Sequence, residues 1–306
     1  MNRLWTTVTV ILLLLVFIGY MVFDLTMKTE PAPEASLTEA DTLIADQWII
    51  SKVFDPGKGR LNAVAVSVDG KIILGGESFV ACYDSAFVLH WEYKTSMPVM
   101  ALAFSKEKIY AVSGNIIEVL NLNGEKDEEW GPYGDRSLIT SISANDTYVA
   151  FADAGDKMIY ILDREGVVKH MAGQSEEPFI IPSPYFDVVL GTDNTLYVAN
   201  TGKRRIERRN IDGTLLDFFG EEGTAPGAFC GCCNPAHFTV IPGGYITAEK
   251  GLNRIKILGS KGEFVEAVSF SNKFIPSVPL DIASADGSKI YAANPADSKL
   301  YSFKRK

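Results

Sequence analysis

Histidine and cysteine are scarce: the 306 residues hold three of the first and four of the second. The histidines, at 90, 170 and 237, lie in separate stretches, which argues against a three-histidine catalytic zinc site. There is no Walker A loop, no dinucleotide glycine fingerprint, no His-Glu-x-x-His and no Gly-x-Ser-x-Gly. Excess positive charge is missing too. Lys and Arg number 29 against 38 Asp and Glu, a net charge of -9, so the chain lacks the phosphate-neutralising balance of a nucleic-acid protein. Beyond the first residues no stretch has helical periodicity. What is present, 47% hydrophobic residues, 26 Gly, 14 Pro and a mean hydropathy of +0.08, suits a sizeable core and excludes a disordered or collagen-like chain.

One long hydrophobic run stands apart. From Leu4 to Phe23 no residue is charged, and at ~1.5 Å per residue the run covers ~30 Å of hydrocarbon. It exceeds the apolar core of a cleavable signal peptide, and no small-residue cleavage site follows it. Residues 1–28 are therefore expected to form a cytoplasmic tip and a single transmembrane signal anchor. Arg3 and the α-amino group before the span place the start in the cytoplasm and the remainder on the exported side. Residues 29–42, acidic and rich in Pro and Ala, read as a stalk, and the folded part spans 43–306.

That part repeats itself every 45 to 49 residues. Leu196-Tyr-Val-Ala-Asn200, Ile246-Thr-Ala-Glu249, Ile290-Tyr-Ala-Ala-Asn294 and Val149-Ala-Phe-Ala-Asp153 align with one another. Short β-type runs alternate with turn pairs such as Asp69-Gly70, Asn123-Gly124, Asp212-Gly213 and Asp286-Gly287. Units begin at 61 and near Val99, Leu138, Phe186, His237 and Leu280. Each has four runs except the last, which has three; the orphan run Trp48–Phe54 supplies the fourth. The expectation is an all-β, six-bladed β-propeller closed by strand 48–54.

Tyr197-Val-Ala-Asn-Thr-Gly-Lys-Arg-Arg-Ile206, followed by Gly220, Gly223, Gly227, Phe229 and Pro235, resembles the NHL repeat of six-bladed propellers. The match is strongest in units four and five and weakest in one and two. The resemblance implies a binding fold whose members include scaffolds, sensors, lactonase-like hydrolases and a metal-dependent lyase, a range that fold alone does not narrow.

Where that pattern brings Pro soon after Gly-x-Phe, this chain inserts Cys230-Gly-Cys-Cys-Asn234. Cys230, Cys232, Cys233 and His237 lie within eight residues, a donor set suited to zinc, copper(I) or an iron–sulfur cluster, although the spacing fits no zinc finger or ferredoxin. The alternative is a disulfide from Cys230 to Cys232 or Cys233, favoured by an oxidising compartment. Adjacent Cys232 and Cys233 would diverge if the loop were extended.

In a propeller this insertion crosses one face beside the central channel. Asp153, Asn200, Glu249 and Asn294, ending second strands, are expected near the same face, either as oxygen ligands for a channel Ca²⁺ or simply as turn-formers. Three functions follow: a binding scaffold for a protein partner or small ligand on the insertion face, with a metal or redox centre in the Cys loop; a lactonase-like hydrolase or lyase using a channel metal; or a sensor or structural module stapled by a disulfide. Lys203, Arg204, Arg205, Arg208 and Arg209 read as a solvated basic face, as do the acidic residues at 125 and 127–129, and Cys82 reads as a buried apolar side chain.

Overall fold

In this computed structural model, residues 3–27, 44–105, 107–174, 177–270 and 273–306 are described. The chain divides into an N-terminal unit and a larger second one. The first contains one helix, Arg3–Met27, whose side chains at 11–21 are all exposed. Among the described residues no helix is long and apolar enough to cross a membrane, so the anchor rests on the sequence alone. The expected stalk, 29–42, lies outside the described residues.

The second unit is an all-β, six-bladed propeller. Its described residues form six four-stranded antiparallel sheets, the first five each made from consecutive strands. Inner strands begin at Leu61, Ala101, Ile139, Asp187, His237 and Asp281, within two residues of the unit starts read from the repeat. In the last blade Asp281–Ala283, Ile290–Asn294 and Lys299–Arg305 are joined by Trp48–Phe54, which pairs antiparallel with Lys299–Arg305 from Trp48↔Arg305 to Phe54↔Leu300. The seam between the two ends of the propeller is thus closed by main-chain hydrogen bonds.

Burial explains why the strand sequences differ by position. Middle strands are covered on both faces by neighbouring blades and several are apolar throughout, as in Ile72–Gly76 and Phe79–Tyr83. Outer strands such as Leu89–Lys94 face water along much of their length. Inner strands supply small side chains, among them Ala63, Ala65, Ala101, Ala103 and Ser141, because six strands converge there on one axis. Adjacent blades also interlock through their turns. Gly124, at φ 82°, lies against the indole of Trp91 so closely that a Cβ would come within 2.4 Å of the ring, and both the backbone angle and the space require glycine.

The direction of the strands defines two faces. Connections from each outer strand to the next inner strand, including residues 220–236, lie on the face where inner strands begin. Trp48 and Arg305 pair at the opposite face.

Candidate functional site

The register puts one residue from each inner strand at the same level, opposite the same position of the second strand. These are Ala63 opposite Gly75, Ala101 opposite Val112, Ser141 opposite Ala152, Asp187 opposite Ala199, His237 opposite Ala248 and Asp281 opposite Ala293. Two of the six, Ala63 and Ala101, are small and apolar; the other four carry a hydroxyl, two carboxylates and an imidazole. Sequence reasoning selected His237 but missed Asp187 and Asp281. The signal that could have found them is the alignment of Phe186-Asp187-Val188 and Leu280-Asp281-Ile282 with Ala236-His237-Phe238.

His237 Nδ1 lies 3.6 Å from Asp281 Oδ1 and 3.8 Å from Asp187 Oδ2. Each carboxylate also fastens blades together. Asp187 accepts the Ser141 hydroxyl and, at 2.8 Å, the Phe238 N–H; Asp281 accepts the Val64 N–H at 2.8 Å. Burial pushes both acids up, Asp281 to about 6, with His237 and the Val64 N–H opposing the rise and Asp187 adding to it.

This has a consequence for stability. Asp281 is raised above its ordinary 3.8, so the native state retains a proton that the unfolded chain releases between about pH 4 and pH 6. Stability should fall as pH rises through that window. Relative to Asp281→Asn, which can still accept from Val64, the wild type should lose about 2–3 kcal/mol between pH 4 and pH 7. Urea unfolding of both proteins across that range checks this; parallel profiles would contradict it.

Two cavities share these residues. The channel lumen, about 190 Å³, is lined by the inner strands and includes Asp187, His237 and Asp281. Outside it a mouth of about 510 Å³ opens over His237 and Asp281, with Met100, Leu138, Tyr185 and Pro279 on its wall and Arg60 and Asn62 at its edge. The mouth therefore has an apolar wall over an acidic and imidazole floor.

The Cys loop lies on this same face but does not form a four-donor centre with His237, whose ring is turned toward the aspartates. Among the described residues no group of three or more His, Cys, Asp or Glu side chains is arranged to hold a metal ion, and no disulfide joins the four cysteines. Cys232 and Cys233 do not diverge: they occupy a turn that brings their sulfurs to 3.4 Å. The Ser183 hydroxyl donates to Cys233 Sγ at 3.1 Å, while burial pushes the Cys233 thiol up. Asn234 anchors the loop by exchanging hydrogen bonds with the Lys250 backbone and donating to the Cys230 carbonyl. Cys82 is buried in blade one.

Asp153, Asn200, Glu249 and Asn294 are buried and make local polar contacts. Asp153 Oδ1 accepts from the N–H groups of Leu138, Gly155 and Asp156. Asn200 accepts from Ile180 and donates to Glu207. Asn294 accepts from Ala296, and Glu249 pairs with Arg254 at 3.0 Å and Lys256 at 2.9 Å. The structure brings no three of His237, the cysteines and these residues together as ligands.

The basic cluster is not a uniformly solvated face. Arg209 is fully buried against Glu207, at 2.6 Å, and donates to the carbonyls of Gly213 and Glu177. Arg254 and Lys256 do the equivalent in blade five, donating to carbonyls between Thr224 and Ala228. Buried cations thus tie the third strands of blades four and five to carbonyls of neighbouring turns and connections.

No family model matches the chain, and no curated protein matches it. Solved structures do. Virginiamycin B lyase from Staphylococcus aureus superposes with a TM-score of 0.59 at 16% identity, covering 85% of this chain and 100% of the lyase. A streptogramin B lyase gives 0.60 at 15% identity, covering 88% and 100%, and the WD40 propeller domain of Doa1 gives 0.56 at 13%, covering 85% and 97%. At these identities the likeness is one of fold.

Proposed function

We propose that this protein is a membrane-tethered, extracytoplasmic binding propeller whose channel mouth takes a small organic ligand bearing a cationic amine. The observation that carries the reading is the mouth itself: a cavity of about 510 Å³ with an apolar wall and Asp281 and His237 at its base. An ammonium group reaching the half-buried Asp281, with the buried Asp187 behind it, would meet two carboxylates, while an aromatic or aliphatic body would pack against Met100, Leu138 and Tyr185. The uncharged run Leu4–Phe23 supports the tether and its orientation; digestion of an N-terminal tag by protease added to intact cells would refute it. NHL-type ancestry is supported by the residues around Tyr197–Ile206 and Gly220–Pro235.

Equilibrium binding of benzylamine and benzyl alcohol tests the ligand class. The amine should bind at least ten times more tightly at pH 8, as a charge-assisted hydrogen bond implies. Asp281→Asn should remove that preference, and the wild type should lose it below pH 6 as Asp281 takes up a proton. Equal binding of amine and alcohol would defeat the reading.

The spacing of His237 between Asp187 and Asp281 favours a second reading, proton-transfer catalysis on a bound ester, with His237 as base and the carboxylates orienting it. A fold shared with streptogramin lyases, among them a catalytically inactive histidine-to-alanine variant of the Staphylococcus aureus enzyme with quinupristin, is consistent with it. On this reading wild-type protein opens cyclic esters or depsipeptides and His237→Ala loses at least a hundredfold in rate; turnover unchanged by that substitution would exclude it.

A further inference from the structure

We propose that Cys232 and Cys233 form a vicinal dithiol that undergoes thiol–disulfide exchange at the rim of the channel mouth. Three observations carry this. The sulfurs stand 3.4 Å apart in a turn, and a bond between them closes a small ring by side-chain rotation with local adjustment of the peptide that joins the two residues, without separation of distant strands. Cys232 is exposed and open to an incoming disulfide, while Cys233 is half-buried behind it, the order required of an attacking and a resolving thiol. The loop is held in place from outside the pair: Asn234 clasps Lys250, and Arg204 Nε donates to the Gly231 carbonyl at 3.1 Å.

The chemistry balances with a disulfide as the only co-reactant. The Cys232 thiol loses its proton to solvent and its thiolate attacks one sulfur of the incoming disulfide. That bond breaks, one thiolate leaves, and a mixed disulfide forms on Cys232. Cys233, deprotonated in turn, attacks the Cys232 sulfur and expels the second thiolate. The cysteines lose two electrons and two protons, and the incoming disulfide becomes two thiols. Burial holds the Cys233 thiol above its ordinary value, and the Ser183 hydroxyl donating to its Sγ, with the Lys250 ammonium, offsets part of that rise for the sulfur that resolves the intermediate. Ser183 immediately precedes Pro184 and Tyr185 of the mouth wall, so oxidation acts beside the ligand cavity without using its floor.

The test equilibrates full-length protein with mixtures of reduced and oxidised glutathione, quenches with an alkylating agent and maps the cysteines by mass spectrometry. The expected product is a reversible bridge between Cys232 and Cys233 that also forms in Cys230→Ser. Cys233→Ser should accumulate glutathione on Cys232, and Cys232→Ser should react at least ten times more slowly than wild type. A bridge to Cys230, glutathione held at Cys230, or no oxidation of protein whose Cys232 alkylates freely would each overturn the proposal. None of these readouts depends on amine binding.

Discussion

Deletion of residues 1–54 is expected to abolish the cooperative unfolding transition of the propeller. Without Trp48–Phe54 the last blade keeps three strands, and Lys299–Arg305 becomes an open edge at the seam where the first and last blades meet. The loss is not only of hydrogen bonds. Trp48 is 1% exposed and packs with Phe274, Ile290 and Phe303 in the core between blades five and six. Trp48→Ala alone should therefore cost about 3–5 kcal/mol, the usual range for truncating a buried aromatic side chain. Calorimetry of the deletion variant should show a broad or absent transition and a strong tendency to associate through the exposed edge. An unchanged melting temperature for the truncated chain would mean that the ring closes by blade-to-blade packing and that the pairing is incidental.

The second large effect is expected at Glu207. Its carboxylate is fully buried and holds Arg209 through Nε at 2.8 Å and Nη2 at 2.6 Å, Arg205 through Nε at 2.8 Å, and the Asn200 amide at 2.8 Å. Glu207→Leu leaves the Arg209 charge buried without its carboxylate, and removal of one member of such a pair costs about 3–5 kcal/mol. Replacing both members, Glu207→Leu with Arg209→Met, should recover part of that loss and reveal a coupling of about 1–3 kcal/mol, since the two side chains touch. Recovery should be incomplete because Arg209 also donates to the Gly213 and Glu177 carbonyls. Urea unfolding of the wild type, both single variants and the double variant measures this. Additive losses would show that the pair contributes as separate side chains and not as a buried unit.

The blades were legible in the sequence because strand and turn chemistry are local. Pairs such as Asp69-Gly70 and Asp212-Gly213 mark reversals whose glycines adopt φ of 84° and 89°, and the apolar runs between them are the middle strands. The channel floor was not legible in the same way. Asp187, His237 and Asp281 are about fifty residues apart in succession and meet only because three inner strands share one register around a closed ring. An isolated Asp at a strand start also reads as a turn residue, so neither carboxylate stood out. The recurrence of Asp153, Asn200, Glu249 and Asn294 had two readings, ligands or turn-formers; Asp153 and Asn294 accept from their own turns, Asn200 ties the Ile180 N–H to Glu207, and Glu249 enters a buried ion pair. At Cys232 and Cys233 the extended-chain expectation failed because the inserted residues fold into a turn, which reverses the geometry that alternation along a strand would impose.

The channel mouth and the dithiol are neighbours on one face, but they rest on different physics. The mouth depends on carboxylates whose charge is set by pH, the dithiol on two sulfurs whose bond is set by redox poise.

The most direct test of an amine-binding channel mouth is a crystal structure of the propeller with benzylamine bound at pH 8. The ammonium should lie within hydrogen-bonding distance of Asp281, with the ring against Met100 and Tyr185. A ligand bound at the opposite end of the channel, or with its amine turned away from both aspartates, would contradict it.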